Sequence, residues 1–162
     1  MNRKIAQFIK EEAERELKWH KRFMAMAEMV STWSKDPSTK CGAVIVRPDL
    51  TVASVGYNGF PRGCNDSPEM YENRPLKYER VVHAEMNAIL SCYERPEGYT
   101  IYVWPPSNGG ACARCAAHIV QSGISRIVHL PGEFADDRWD ESLMIARELF
   151  SESGVEEIII DP

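Results

Sequence analysis

The stretch TIYVWPPSNGGACARCAAHIVQSGISRIVHL, residues 100–130, decides the fold. Thr100-Ile101-Tyr102-Val103-Trp104 is a short run of β-branched and aromatic residues stopped by Pro105-Pro106. Ala111 to Ser122 reads as helix and closes on Gly123, a residue suited to the left-handed turn that ends one. Ser125 to Leu130 returns to strand composition. Strand, helix and strand in succession predict a parallel pair, because parallel neighbours need a crossover of this length.

The alternation continues outward. Gly42-Ala43-Val44-Ile45-Val46 and Thr51 to Tyr57 flank a tight Arg47-Pro48-Asp49 connection and predict an antiparallel hairpin. Val82 to Tyr93 reads as helix, with Val82, Met86, Ile89 and Leu90 on one side. Asp136 to Ser153 predicts a last helix, and Glu156 to Ile160 a fifth strand. At the other end, Ile5, Phe8, Ile9, Ala13, Leu17, Phe23, Ala27 and Val30 recur mostly at three- and four-residue steps, which predicts amphipathic helix to about Thr32. The expected fold is α/β: a three-layer αβα sandwich on a mixed five-stranded sheet, its helix-linked strands being parallel neighbours. Residues 1–162 form one domain in this reading. Asn58 to Val81, punctuated by Gly59, Pro61, Gly63, Pro68 and Pro75, reads as a long functional loop.

Composition narrows the function. A chain of 162 residues with 44% hydrophobic and 27% charged residues is large enough for a real core. Its net charge of −5 argues against gripping long nucleic acid or anionic lipid, and leaves room for a small anionic ligand held by a few local cations. From Glu133 onward ten acidic residues face only Arg138 and Arg147, which reads as a solvated acidic face. No apolar run of membrane length and no signal-peptide core occur, so the expected location is cytoplasmic, without membrane contact.

The five cysteines, at 41, 64, 92, 112 and 115, suit a reduced protein better than a disulfide framework. Cys112-Ala113-Arg114-Cys115 opens one predicted helix, and His83-Ala84-Glu85 opens another, 29 positions earlier. A CxxC alone fits a metal site or a redox pair equally. With the histidine it supplies three soft or borderline ligands for Zn²⁺, leaving the fourth corner for water. Helix N-termini favour negative charge and so help both thiols ionise. Bound zinc lowers the pKa of water from about 16 to about 7, and Glu85, two residues past the histidine, is placed to move protons. His118 is the competing imidazole, but its use would orphan His83 and Glu85. Cys41, Cys64 and Cys92 read as small apolar filler. Trp104, at a strand end, is a candidate stacking wall, and Ser34 and Lys35, on the turn after the first helix, are candidate donors to a small anionic ligand.

His-x-Glu with a following CxxC is the signature of zinc deaminases, except that Ala111 stands where the signature has proline and the preceding connection is long. Similarity extends through Ser34-Lys35-Asp36-Pro37, Gly42 to Val46, Gly56-Tyr57-Asn58-Gly59, Lys77-Tyr78, His83 to Ile89 and Gln121-Ser122-Gly123. The chain thus resembles the deoxycytidylate (dCMP) deaminases of the cytidine deaminase superfamily. That resemblance implies zinc on His83, Cys112 and Cys115, and proton shuttling by Glu85 as water attacks cytosine C4, giving dUMP for dTMP synthesis and ammonia. It implies substrate contact by Asn58. It also implies activation by dCTP and inhibition by dTTP, Mg²⁺ on the triphosphate, and a homo-oligomer such as a hexamer, with Gly59, Arg62, Asp66 and Lys77 in the regulatory region. The alternatives are a deaminase of cytidine, guanine or tRNA adenine, and a non-catalytic zinc-stabilised binding module. A module of that kind has no need of Glu85.

Overall fold

The computed structural model describes residues 3–105, 110–132 and 139–162. Its elements in chain order are α1 (Arg3–Ser31), β1 (Gly42–Val46), β2 (Val52–Tyr57), α2 (Pro68–Glu72), α3 (Arg74–Arg80), α4 (Ala84–Ser91), β3 (Thr100–Trp104), α5 (Ala113–Ser122), β4 (Arg126–His129), α6 (Asp140–Ser153) and β5 (Glu156–Ile159). The sheet order is β2-β1-β3-β4-β5. β1 is antiparallel to both β2 and β3, while β3, β4 and β5 run parallel, so the sheet is mixed, as expected.

Two expectations need correction. The helix-linked strands β2 and β3 are parallel to each other but not neighbours, because β1 lies between them and pairs with both. Second, residues 58–81 are not a structureless loop, since they contain α2 and α3. Pro68 and Pro75 stand in the first turns of these helices, where proline lacks only an N–H that would be unpaired anyway, and Asn73 caps α3 by accepting from Leu76 N–H at 3.2 Å. The expected start of the last helix at Asp136 lies outside the described residues.

β1 is buried along its whole length, as an apolar run covered on both faces requires. On one face α1 lays down Phe23, Met24, Ala27 and Val30 against Val44, Val46, Tyr102 and Val128. On the other, α4, α5 and α6 bring Ala84, Ala88, Ala116, Ile119 and Phe150 onto Ala43, Ile45, Ile101 and Ile127. Each fully buried isoleucine there contributes about 2 kcal/mol by removing apolar area from water. Two strand glycines set the helix heights. A Cβ on Gly42 would stand 2.1 Å from Ala27 O in α1, and one on Gly56 would stand 2.2 Å from Ala88 N in α4. Both helices therefore rest on bare strand backbone. Ser54 Oγ also donates to Ala88 O at 2.8 Å, and Asn87 Nδ2 to Tyr57 O at 2.7 Å, tying α4 to β2.

Candidate active site

The site is assembled at the starts of α4 and α5. His83 and Cys112 are the N-cap residues, each extended (φ −70°, ψ 157° and φ −69°, ψ 163°), and neither side chain makes a capping hydrogen bond. An N-cap side chain ordinarily turns back to the helix N–H groups; here both are released to face one another. The backbone still begins each helix normally, with Asn87 N donating to His83 O and Ala116 N to Cys112 O. Ser142 of α6 accepts from Ala113 N–H at 2.9 Å and so satisfies one of the free donors of α5.

His83 Nδ1 lies 3.5 Å from Cys112 Sγ and 3.4 Å from Cys115 Sγ, and the three ligand atoms all fall within 4.8 Å of one another. Hydrogen bonds from Cys115 and His83 push the Cys112 thiol down. The Cys115 thiol is pushed up, because it donates to that thiolate from a buried position near Glu85. The Cys112 sulfur in turn raises His83. Two sulfurs and one imidazole nitrogen form the donor set that Zn²⁺ prefers, and among the described residues no fourth His, Cys, Asp or Glu joins it. The residues fit a zinc ion with one open position. His118 is exposed and hydrogen-bonded to Arg114 O, outside the set.

Glu85, the second residue of α4, is 6% exposed. Burial raises its carboxyl above the usual range, and the neighbouring His83 opposes the shift. It lines, with His83 and Cys112, a cavity of about 150 Å³. The end of β3 adds Val103, Trp104 and Pro105 to the lining. Gly110, at φ 109°, makes the approach to Cys112 in place of the missing proline, and residues 106–109 lie outside the described residues.

Asn58 also lines the cavity. Its Oδ1 accepts from Cys41 N–H at 2.8 Å and its Nδ2 donates to Thr39 O at 2.9 Å, which fixes the segment between β1 and α1 as the cavity floor. Its backbone is not left-handed, so it is no simple turn residue. The two expected donors to an anionic ligand are elsewhere. Ser34 is buried with its hydroxyl donated to Asn58 O, and the exposed Lys35 pairs with Asp66 at 2.6 Å; neither lines the cavity. Arg62 reaches Ser91 on the surface, and Gly59 pairs its backbone with Val82 beside His83. Of the other cysteines, Cys64 is exposed, which corrects its reading as filler, whereas Cys41 lines the cavity with its thiol pushed up by burial.

Lys77, expected in a regulatory region, stands in the cavity wall. Its ammonium sits 2.7 Å from the carboxylate of Asp36, both groups nearly fully buried, and 3.3 Å from Ser38 Oγ. Asp36 also accepts from the backbone N–H groups of Ser38 and Thr39. Arg74 and Tyr78, three residues before and one after Lys77, line the same cavity from α3. The signal that could have found this wall is Asn73 followed by Pro75, a helix start that puts positions 74, 77 and 78 on one face.

The family model for the cytidine and deoxycytidylate deaminase zinc-binding region matches residues 17–130. The chain is 46% identical over 141 residues to an uncharacterized deaminase in the luxG 3′ region of Aliivibrio fischeri, covering 86% of this chain and 91% of that protein. It is 36% identical over 147 residues to the deoxycytidylate deaminase of Mus musculus, covering 86% and 78%. Among solved structures it resembles the dCMP deaminase of cyanophage S-TIM5 in complex with dCMP and dUMP, with a TM-score of 0.65 over 86% of this chain and 95% of that one. At 22% identity that last likeness is one of fold.

Proposed function

Since the chain belongs to the zinc-binding cytidine and deoxycytidylate deaminase family, we propose that it hydrolyses dCMP to dUMP and ammonia. The observation that carries the proposal is a buried carboxyl, Glu85, on the wall of the cavity that His83 and Cys112 also line. A purely structural zinc site requires a fourth protein ligand and no such acid.

His83 Nδ1 and the sulfurs of Cys112 and Cys115 would hold the zinc. The ion, when bound, supplies the Lewis acidity that brings the pKa of water to about 7. Glu85 accepts a proton as the water oxygen adds to cytosine C4 and places it on N3. It then takes the remaining hydroxyl proton to the amino group, which leaves as ammonia while C4 becomes a carbonyl carbon. One water is consumed and no other reactant is needed. Trp104 offers its ring face to the base. Asn58 Oδ1, already accepting from Cys41, keeps a second lone pair for a sugar hydroxyl.

The proposal extends to regulation: activation by dCTP and inhibition by dTTP, with Mg²⁺ on the triphosphate, in a cytoplasmic homo-oligomer of hexameric type. What supports this is the resemblance of the segment around Gly59, Arg62 and Asp66 to the regulatory region of the family. Those three residues do not line the cavity, whereas Lys77, the fourth residue of that regulatory set, does.

The test is Glu85→Gln together with a substrate panel of dCMP, CMP, deoxycytidine and guanine, with and without dCTP. Glu85→Gln is expected to retain about one zinc per chain by elemental analysis while dCMP turnover falls at least about 10²-fold, the low end for a general acid–base group. Unchanged turnover with zinc retained would remove Glu85 from the chemistry. Preference for a substrate other than dCMP would replace the assignment.

A further inference from the structure

The charges on the cavity wall leave one cation over. Besides the metal-binding set, the charged side chains that line it among the described residues are Asp36, Arg74, Lys77 and Glu85. Asp36 and Lys77 neutralise each other at 2.7 Å. Glu85 faces the metal ligands. Arg74 remains: it is exposed, lines the cavity, and its side chain makes no hydrogen bond or ion pair among the described residues. It is also the first residue of α3, whose first turn holds no acidic residue. A cation at that end of a helix opposes the dipole, so neither a local partner nor the helix field accounts for its placement.

We propose that Arg74 is the anchor for the 5′-phosphate of the substrate, and that it sets the preference for a nucleoside monophosphate over the free nucleoside. The inference rests on the nucleotide-deaminase reading above and names the part of the site that reading left without residues. A guanidinium presents planar paired donors that match phosphate oxygens, and it stays charged throughout the working pH range. Lys77, one turn further along the same helix face, is not the reaching group. Its ammonium is pinned by Asp36 and Ser38, and that pinning holds α3 against the 36–41 segment so that Arg74 projects from a fixed support. The cation expected from the sequence, Lys35, is tied to Asp66 away from the cavity.

The experiment compares wild type, Arg74→Ala and Arg74→Lys, all zinc-loaded. It measures kcat/KM for dCMP and for deoxycytidine, and calorimetric affinity for dUMP and for deoxyuridine. Arg74→Ala should lower kcat/KM for dCMP and affinity for dUMP by about 10- to 100-fold, the range for hydrogen bonds to a charged group. The loss should sit mainly in KM, both nucleoside measurements should be unchanged, and Arg74→Lys should recover part of it. Equal losses for nucleotide and nucleoside, or no loss for either, would overturn the inference. The binding arm separates the two readings: selective loss of dUMP affinity in a protein without dCMP turnover sustains the phosphate anchor and defeats the proposed reaction. Normal dCMP turnover that is insensitive to Arg74 does the reverse.

Discussion

Replacing Gly56 with alanine should damage the site from beneath. The new Cβ would lie 2.2 Å from Ala88 N and 2.4 Å from Ala84 O, both in the backbone of α4, so no side-chain rotamer can relieve it. Ordinary contact begins near 3.4 Å, and the difference from 2.2 Å means that α4 must retreat by about 1.2 Å. Overpacking of this kind costs about 1–3 kcal/mol, and a displaced backbone belongs at the upper end. The stiffer unfolded chain offsets about 0.4–1 kcal/mol. The net loss is about 2 kcal/mol, a fall in Tm of about 4–8 °C for a chain of this size. Function should suffer more, because α4 carries His83 at its cap and Glu85 in its first turn, and a misplacement of about 1 Å can cost 10² in rate. Thermal melts, zinc content after dialysis against a weak chelator, and dCMP turnover measure the three effects. Gly42→Ala is the control: its Cβ would meet Ala27 O at 2.1 Å and Ser31 N at 2.6 Å, moving α1 on the opposite face. It should lose comparable stability yet keep its zinc. Wild-type Tm, zinc and turnover in Gly56→Ala, or equal zinc loss in both variants, would refute the reasoning.

Two stability predictions accompany this one. Lys77→Met leaves the 2% exposed carboxylate of Asp36 without its cation, and breaking a buried pair from one side should cost about 3 kcal/mol in urea unfolding. Glu157 tests the acid limb. The hydrogen bond from His129 at 3.0 Å holds its carboxyl below the ordinary 4.5, with burial opposing. The folded pKa therefore lies under the unfolded one, so its stabilisation is complete above about pH 4.5 and disappears as pH falls through the lower folded value. Wild type should exceed Glu157→Gln in stability at pH 7, and their unfolding curves should converge as pH drops below the carboxylate range. A constant gap down to acid pH would remove the charge from the explanation.

What could be read in the sequence was local. Val44, Ile45 and Val46, or Ile127 and Val128, announce strands by composition, and His83, Glu85, Cys112 and Cys115 announce chemistry by spacing. The insertion of β1 between β2 and β3 was not legible, because strand order is a choice among distant partners that no window of sequence encodes. α3 was hidden by Pro75, which reads as a breaker unless Asn73 is recognised as the cap that makes the next positions a helix start. Without α3, Arg74 and Lys77 share no face, and Lys35 is the cation that the sequence offers beside a turn. That side chain is committed to Asp66, 31 residues away in sequence.

The release of His83 and Cys112 from capping separates two tasks within the chain. The candidate metal ligands His83 and Cys112 are fastened to main-chain joints, whereas the chamber beside them is shaped by side chains of α3, of the end of β3 and of residues 36–41 and 58. Those two parts of the protein can change independently. Exchanging wall residues such as Arg74 or Trp104 should therefore leave the mutual spacing of His83, Cys112 and Cys115 in place.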